Sequence, residues 1–205
     1  MERLAVHRIL LITVALTLAI LGAPPAAAVS PPLIDPGAVP PDVTGPDQPL
    51  EQKRVCKAPL SLPATNFHDP PWPNTYLGIT QAQKFATGAG ATVAVIDTGV
   101  DVSPRVPADP GGDFVVKEGD GLSDCDSHGT LTASIIAGRP SLNDGFVGVA
   151  PDARLISVRQ TSEAFEPKDS QPDSGDPNAT PAAGSVRSLA RAVVHAANPR
   201  IWAPG

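Results

Sequence analysis

The chain has 205 residues, of which 41% are hydrophobic, so it is long enough to bury the core of one soluble domain. Its formal net charge of −6 gives no basic footprint, which argues against nucleic acid as a partner. The 25 prolines exceed ordinary usage and cluster outside the apolar segments, which predicts extended arms and loops around a compact core.

Residues 1–28 have the pattern of a secretory signal peptide. A basic start is followed by the apolar segment 9–23 and by an Ala-Ala-Ala cleavage site at 26–28. The alternative is an uncleaved membrane anchor, but about 15 apolar residues are short for a helix that crosses a bilayer. No second apolar run of spanning length follows in the sequence. We therefore expect export to the cell envelope or periplasm.

Residues 29–55 are predicted to be a Pro-rich N-terminal extension. Pro, Asp and Gly dominate this segment and its apolar residues show no periodicity. Such a segment cannot bury enough surface to offset the entropy lost when a chain is ordered. We expect an extended arm, followed by a folded domain over residues 56–205.

The chain has two cysteines, Cys56 and Cys125. An exported protein meets an oxidising compartment, which favours a disulfide between them. Two free buried thiols are the alternative. A metal site is not expected, because neither residue belongs to a Cys-x-x-Cys pair and no histidine cluster accompanies them.

Three segments of the folded domain have clear secondary-structure patterns. Residues 92–96 form an apolar, β-branched run, which is typical of a strand buried on both faces. Residues 129–137 are typical of a helix that Gly138 ends, and residues 154–158 of a second strand. Strands that alternate with helices predict an α/β fold, in which a parallel sheet is flanked by helices.

The segment 161–184 is predicted to be a surface insertion. It is rich in Pro and Asp and longer than most loops of compact domains, so we expect a mobile loop that an added protease cuts first. Residues 185–197 then form an amphipathic helix. Its apolar residues at helical spacing are Val186, Leu189, Ala190, Val193 and Val194. Residues 198–205 show no strand pattern, so the sheet is expected to be incomplete at the C-terminus.

Asp97 and His128 are the candidate catalytic residues. Asp97 closes the first strand, and His128 follows it by 31 residues at the head of the helix. The carboxyl ends of parallel strands are where open α/β sheets build their sites. A carboxylate that accepts the Nδ1 proton of a histidine fixes the tautomer that a general base requires. The segment 97–99, Asp-Thr-Gly, also occurs in aspartic proteases, but that fold is all-β and uses no paired histidine.

Three motifs together resemble the subtilisin-like serine proteases, the subtilases. They are VAVIDTGV at 93–100, DSHGT at 126–130 and GVAPDARL at 148–155. The signal peptide, the Pro-rich arm and the positions of Cys56 and Cys125 are similar to the mycosins, the subtilases of type VII secretion. The resemblance covers roughly residues 50 to 197 and is strongest at the three motifs.

The resemblance implies that Asp97 orients His128 and that His128 acts as general base. It implies a serine endopeptidase with a protein or peptide substrate, with type VII secretion components as further partners. No cofactor is implied. Mycosins also carry a C-terminal membrane helix, so membrane association is an expectation from the longer relatives.

The nucleophile that the resemblance requires is not recognisable in the sequence. In subtilisin order the serine follows the histidine by about 150 residues, whereas 77 residues follow His128. A Gly-Thr-Ser-x-Ala motif and the oxyanion-hole Asn are also absent from the 205 residues. Ser134 echoes the serine motif, but it lies on the helix of His128, where packing is the expected role. We therefore expect an inactive chain; the alternative is a non-catalytic structural component of the secretion complex.

Three acidic residues precede His128: Asp120, Asp124 and Asp126. They could bind Ca²⁺, but their spacing matches no regular ligand pattern. We expect a solvated acidic loop and no metal site.

Overall fold

The computed structural model describes residues 35–57, 63, 65–169 and 183–202. By its internal contacts the chain divides into two units, 1–38 and 39–205. Of the first unit only 35–38 are described, and Pro36–Ala38 form a 3-10 turn. The predicted signal peptide, 1–28, lies outside the described residues and stays a prediction.

The second unit contains five short strands and five helices among its described residues. In chain order they are β1 (Leu50–Gln52), α1 (Trp72–Tyr76), α2 (Ile79–Ala82), β2 (Thr92–Asp97), β3 (Asp109–Asp113), α3 (His128–Ala137), β4 (Arg154–Arg159), β5 (Phe165–Pro167), α4 (Val186–Ala196) and α5 (Pro199–Trp202). The strands predicted at 92–96 and 154–158 are each one residue longer than expected.

Strands β2, β4 and β3 form a parallel sheet in that order. Strands β2 and β4 pair in register along all six of their residues, which places Asp97 beside Arg159 at the carboxyl end. This arrangement confirms the predicted α/β fold with a parallel sheet. It also puts the end of β2, where Asp97 lies, at the edge where sites of such sheets are found.

Strand β3 was not predicted, because its sequence, Asp-Pro-Gly-Gly-Asp, has no strand pattern. It lies at an edge of the described sheet, where a proline is tolerated. The register shifts between Pro110 and Asp113. A side chain at Gly111 would collide with Ile156 and with the backbone of Ser157, so the close approach of the two strands requires glycine there. Tertiary packing, rather than local propensity, makes this segment a strand.

Helices cover both faces of the sheet. On one face, Ala133 and Ala137 of α3 belong to an apolar cluster that includes Val95 of β2. On the other face, Ala192 of α4 packs in a cluster with Phe114. The small alanine side chains let each helix lie close to the sheet. A parallel sheet buried on both faces is the usual arrangement for such strands.

Helix α4 turns its predicted apolar face to solvent. Val186, Leu189 and Val193 are 87%, 44% and 52% exposed, whereas Ser188 and Arg191 are buried. Amphipathic helices usually bury the apolar stripe, so the structure reverses the expected orientation. The reason is that the polar side of α4 holds the N-terminal arm, while its alanines contact the sheet.

Residues 42–45 of the N-terminal arm lie against the domain, mostly on α4. Arg191 donates hydrogen bonds to the carbonyl oxygens of Val43 and Thr44. His195 Nδ1 lies 2.6 Å from Asp42 Oδ1. Gly45 N–H also donates to the carbonyl of a β3 residue at 2.7 Å. The arm therefore lies along the domain here, although its composition predicts little burial.

Part of the predicted insertion 161–184 forms regular structure. Strand β5 pairs antiparallel with β1 of the arm, and Ser162 forms an isolated bridge with Ala183. The polar, Pro-rich composition gives no strand pattern, so sequence reasoning missed β5. Residues 170–182 lie outside the described residues, and the predicted mobility stays a prediction there.

The described helices are short, and the longest are α4 with 11 residues and α3 with 10. None of the helices in the described part of the chain is long and apolar enough to cross a membrane. Helix α5 forms where no regular structure was predicted. Hydrogen bonds at 2.8 Å hold Trp202 to Arg154 and to the carbonyl of Ala196.

Candidate active site

Asp97 and His128 meet at the carboxyl end of β2. His128 Nδ1 lies 2.7 Å from Asp97 Oδ1. The same carboxylate oxygen accepts the backbone N–H of Thr98 at 2.7 Å. The Asp97 side chain is 14% exposed and the His128 side chain is 72% exposed. One ring nitrogen is therefore held by a sheltered carboxylate, while the other side of the ring faces solvent.

The local sequence brings the start of α3 close to the end of β2. Gly129 lacks a side chain, and an added Cβ would overlap the Gly99 carbonyl and lie 3.2 Å from Asp97 Cβ. Ser127 precedes the helix with a φ of 65°, in the left-handed region that non-glycine residues rarely adopt. The chain thus makes a sharp turn immediately before His128, which lets α3 begin against the strand.

The Asp97 carboxylate raises the pKa of His128. The hydrogen bond to Asp97 is the largest cause, and its charge adds to the effect. The carboxylates of Asp124 and Asp126 raise the pKa further through their charges, while burial opposes them. The imidazolium is therefore stabilised at this position, as a general base that accepts a proton requires.

The stability of the chain should depend on pH through this pair. The pKa of His128 is raised above its ordinary 6.5, so the stabilisation is complete below about pH 6.5 and is lost as pH rises through the raised value. We expect Asp97→Asn to destabilise the chain more at about pH 6 than at about pH 9 in urea unfolding. The difference should stay below about 1 kcal/mol, since solvent screens an exposed pair. Equal destabilisation at both pH values would show that Asp97 does not stabilise the protonated form of His128.

The acidic loop before His128 differs from expectation. Asp120 is exposed, but Asp124 and Asp126 are only 5% and 7% exposed. The expected solvated loop is therefore wrong for these two residues. Sequence reasoning also missed Thr98, which joins this loop to β2 by a hydrogen bond to Asp124. The positions of these two residues could have indicated a role near the pair, since Thr98 follows Asp97 and Asp124 lies four residues before His128.

Cys56, which directly follows the N-terminal arm, forms a disulfide with Cys125 in the loop that leads to His128. The backbone reinforces the connection, since Lys57 N–H donates to the carbonyl of Cys125 at 2.8 Å. The amide of Gln52 lies 3.7 and 3.8 Å from the two sulfur atoms. The arm is thus joined covalently to the segment that presents the imidazole.

Ser134 is engaged within its own helix. Its hydroxyl donates to the carbonyl of Thr130 at 2.7 Å. Six residues separate it from His128, which corresponds to about 9 Å along the helix axis. This geometry suits a packing role and places the hydroxyl away from the exposed ring nitrogen.

The described residues contain no group of three or more His, Cys, Asp or Glu side chains that could hold a metal ion. The contact between Asp97 and His128 is suited to proton transfer. A sheltered carboxylate orients an exposed imidazole, which is the arrangement that activates a hydroxyl nucleophile.

Residues 88–171 match the subtilase family. Mycosin-1 of Mycobacterium tuberculosis (strain ATCC 25618 / H37Rv) is 76% identical over 192 residues, which are 94% of this chain and 43% of Mycosin-1. The chain therefore spans less than half the length of this relative.

Solved structures show the same likeness in three dimensions. The crystal structure of MycP1 from the ESX-1 type VII secretion system superposes with a TM-score of 0.74 and 67% identity, over 83% of this chain and 45% of that one. A chain of the periplasmic assembly from the ESX-5 inner membrane complex gives a TM-score of 0.70 and 44% identity, over 83% and 45%.

Proposed function

The chain belongs to the subtilase family and to its mycosin branch, and we propose that Asp97 and His128 are two of the three triad members of a serine endopeptidase. The observation that carries this proposal is the 2.7 Å contact between His128 Nδ1 and Asp97 Oδ1, with the imidazole exposed on its other side. The substrate class is a protein or peptide. The family assigns a serine nucleophile and requires no cofactor.

In this proposal His128 first accepts a proton and then donates it. Nε2 accepts the proton of a serine hydroxyl while the serine oxygen attacks the carbonyl carbon of the peptide bond. The imidazolium then gives that proton to the leaving amine, and an acyl-enzyme forms. Asp97 accepts Nδ1–H throughout and stabilises the imidazolium, and it stays ionised. Water then hydrolyses the acyl-enzyme by the same proton path.

We propose that the serine and the oxyanion donor come from sequence outside these 205 residues, and that the chain alone hydrolyses no peptide. The length of Mycosin-1 beyond the matched region gives room for such a segment. Helix α3 also has an uncovered apolar side near His128, where Leu131 and Ile135 are 63% and 59% exposed. Side chains of this type at i+3 and i+7 from His128 suit a packing contact with a further element.

A fluorophosphonate probe tests this proposal. The 205-residue chain should not be labelled. A chimera that joins the chain to the part of Mycosin-1 beyond the matched region should be labelled, and His128→Ala should abolish that labelling. His68→Ala, at an exposed histidine, is the matched control and should have no effect. Labelling of the chimera that persists without His128 would disprove the assigned base, and labelling of the 205-residue chain would place a nucleophile inside it.

We propose that residues 1–28 direct export and that the domain functions in the envelope or periplasm. Support comes from the apolar N-terminal sequence and from the likeness to a chain of a periplasmic assembly. The proposed organisation is a signal peptide, an extension over 29–55 and a peptidase-like domain over 56–205, with an insertion at 161–184.

A second candidate function is a structural component of the secretion complex. The likeness to a chain of the ESX-5 inner membrane complex favours it. Co-purification of the exported chain with membrane components of a type VII system, retained in His128→Ala, would support a binding role independent of catalysis. A chain that is exported without any such partner would contradict this candidate.

A further inference from the structure

We propose that Asp124, acting with Thr98, is a positioning residue that holds the His128 imidazole in place against Asp97. The inference deepens the proposed function and rests on it. Its basis is a buried hydrogen-bond network that connects the residues on both sides of His128 to the residue after Asp97.

The Asp124 carboxylate accepts hydrogen bonds from residues on both sides of His128 in the sequence. Its Oδ1 accepts the N–H groups of Asp126 and Ser127 at 3.0 and 2.9 Å. Its Oδ2 accepts the N–H and the hydroxyl of Thr130 at 2.8 and 2.6 Å. Since Asp124 is 5% exposed, water cannot easily replace these bonds. One buried anion therefore fixes the backbone before and after the imidazole.

Thr98 extends this network to Asp97. Its hydroxyl donates to Asp124 Oδ1 at 2.8 Å and accepts the N–H of Gly129 at 2.8 Å. Its own N–H donates to Asp97 Oδ1, the oxygen that His128 contacts. The hydroxyl of one threonine therefore sets the distance between the end of β2 and the start of α3.

The network replaces the usual cap of α3. The residue at the cap position, Ser127, forms no side-chain hydrogen bond to the helix, although serine there normally does. The N–H groups of Gly129 and Thr130 are satisfied instead by Thr98 and Asp124. A helix capped from a distant strand has its first residue fixed relative to that strand, and that first residue is His128.

Asp124 also stays charged under working conditions. Burial raises the pKa of Asp124, but hydrogen bonds from Thr130, Thr98 and Asp126 bring it below its ordinary value. The carboxylate consequently adds a fixed negative charge near the imidazole, beside those of Asp97 and Asp126. The pKa of His128 thus gives a readout that a purely structural role of Asp124 would not move.

The test uses NMR on the 205-residue chain with two pairs of variants. Thr98→Val keeps the shape and removes the hydroxyl, and Thr98→Ser restores it. Asp124→Asn removes the charge, and Asp97→Asn tests the pair itself. The measurements are the His128 Nδ1–H resonance, the pKa of His128 and hydrogen exchange at Gly129. The Nδ1–H resonance of His195, which contacts Asp42, is the internal control.

We expect Thr98→Val and Asp124→Asn to broaden or remove the His128 Nδ1–H resonance and to lower the pKa of His128, while Thr98→Ser resembles the wild type. Exchange at Gly129 should be about tenfold faster in Thr98→Val, since its N–H loses a buried acceptor. An unchanged resonance and pKa in a folded Thr98→Val chain would overturn the inference, even if Asp124→Asn fails to fold. No effect of Asp97→Asn would instead overturn the proposed function.

Discussion

Removal of the Cys56–Cys125 disulfide should lower the free energy of unfolding by about 4 kcal/mol. The bridge joins residues separated by 69 positions, and closing a loop of that length restricts the unfolded chain by about this amount. The measurement is urea unfolding of the double variant Cys56→Ser, Cys125→Ser. Such an effect is a large part of the total stability of a small domain.

The matched control is the effect of a reductant. Wild-type chain in reductant should unfold at nearly the same urea concentration as the double variant, and the double variant itself should not respond to reductant. The free energies of unfolding of oxidised wild type and the double variant could also differ by less than about 1 kcal/mol. That result would show that the cross-link restricts the unfolded chain only slightly.

Removal of the disulfide should also loosen the loop next to the candidate active site. Cys125 stands three residues before His128, and its carbonyl accepts the N–H of Lys57. Without the bridge, this backbone hydrogen bond still connects Lys57 to the loop, while the Lys57–Glu163 ion pair at 2.7 Å leads to the insertion instead. Faster hydrogen exchange at Lys57 in the double variant than in the wild type, under native conditions, would show this local release.

The sequence predicts the centre of this fold well because local and tertiary preferences agree there. The β-branched run that ends at Asp97 is a parallel strand, in which Val95 is buried and the other residues are half-buried, and Gly138 ends α3 as predicted. The pairing of Asp97 with His128 follows from the same features. A strand end and a helix start on one sheet edge are brought together by the topology of the α/β fold.

The rest depends on contacts that are distant in sequence. Strand β3, which is rich in glycine and proline, forms because it pairs closely with β4. No local sequence pattern predicts this pairing. Helix α4 exposes its apolar stripe because Arg191 binds the arm, which lies almost 150 residues away. The buried state of Asp124 is equally non-local, since one of its donors, Thr98, belongs to another segment. Charged and small residues acquire these roles only in the folded chain.

Asp97→Asn should reduce peptide hydrolysis by about 10⁴-fold in the chimera with the remaining part of Mycosin-1, with most of the loss in kcat. Asparagine can present its amide N–H to Nδ1, which would favour the tautomer whose Nε2 carries the proton. That nitrogen could then no longer accept a proton from the serine hydroxyl. The fold should persist, because the two side chains are of nearly equal size.

The control for this loss is Asp152→Asn, at an exposed residue before β4 and therefore at the opposite end of the sheet. It should leave kcat within about twofold, since surface substitutions of this kind rarely disturb a site. Equal losses in the two variants would point to a general effect of aspartate replacement. A loss confined to KM in Asp97→Asn would assign the carboxylate to substrate binding, because a group that acts only on the reacting base changes kcat.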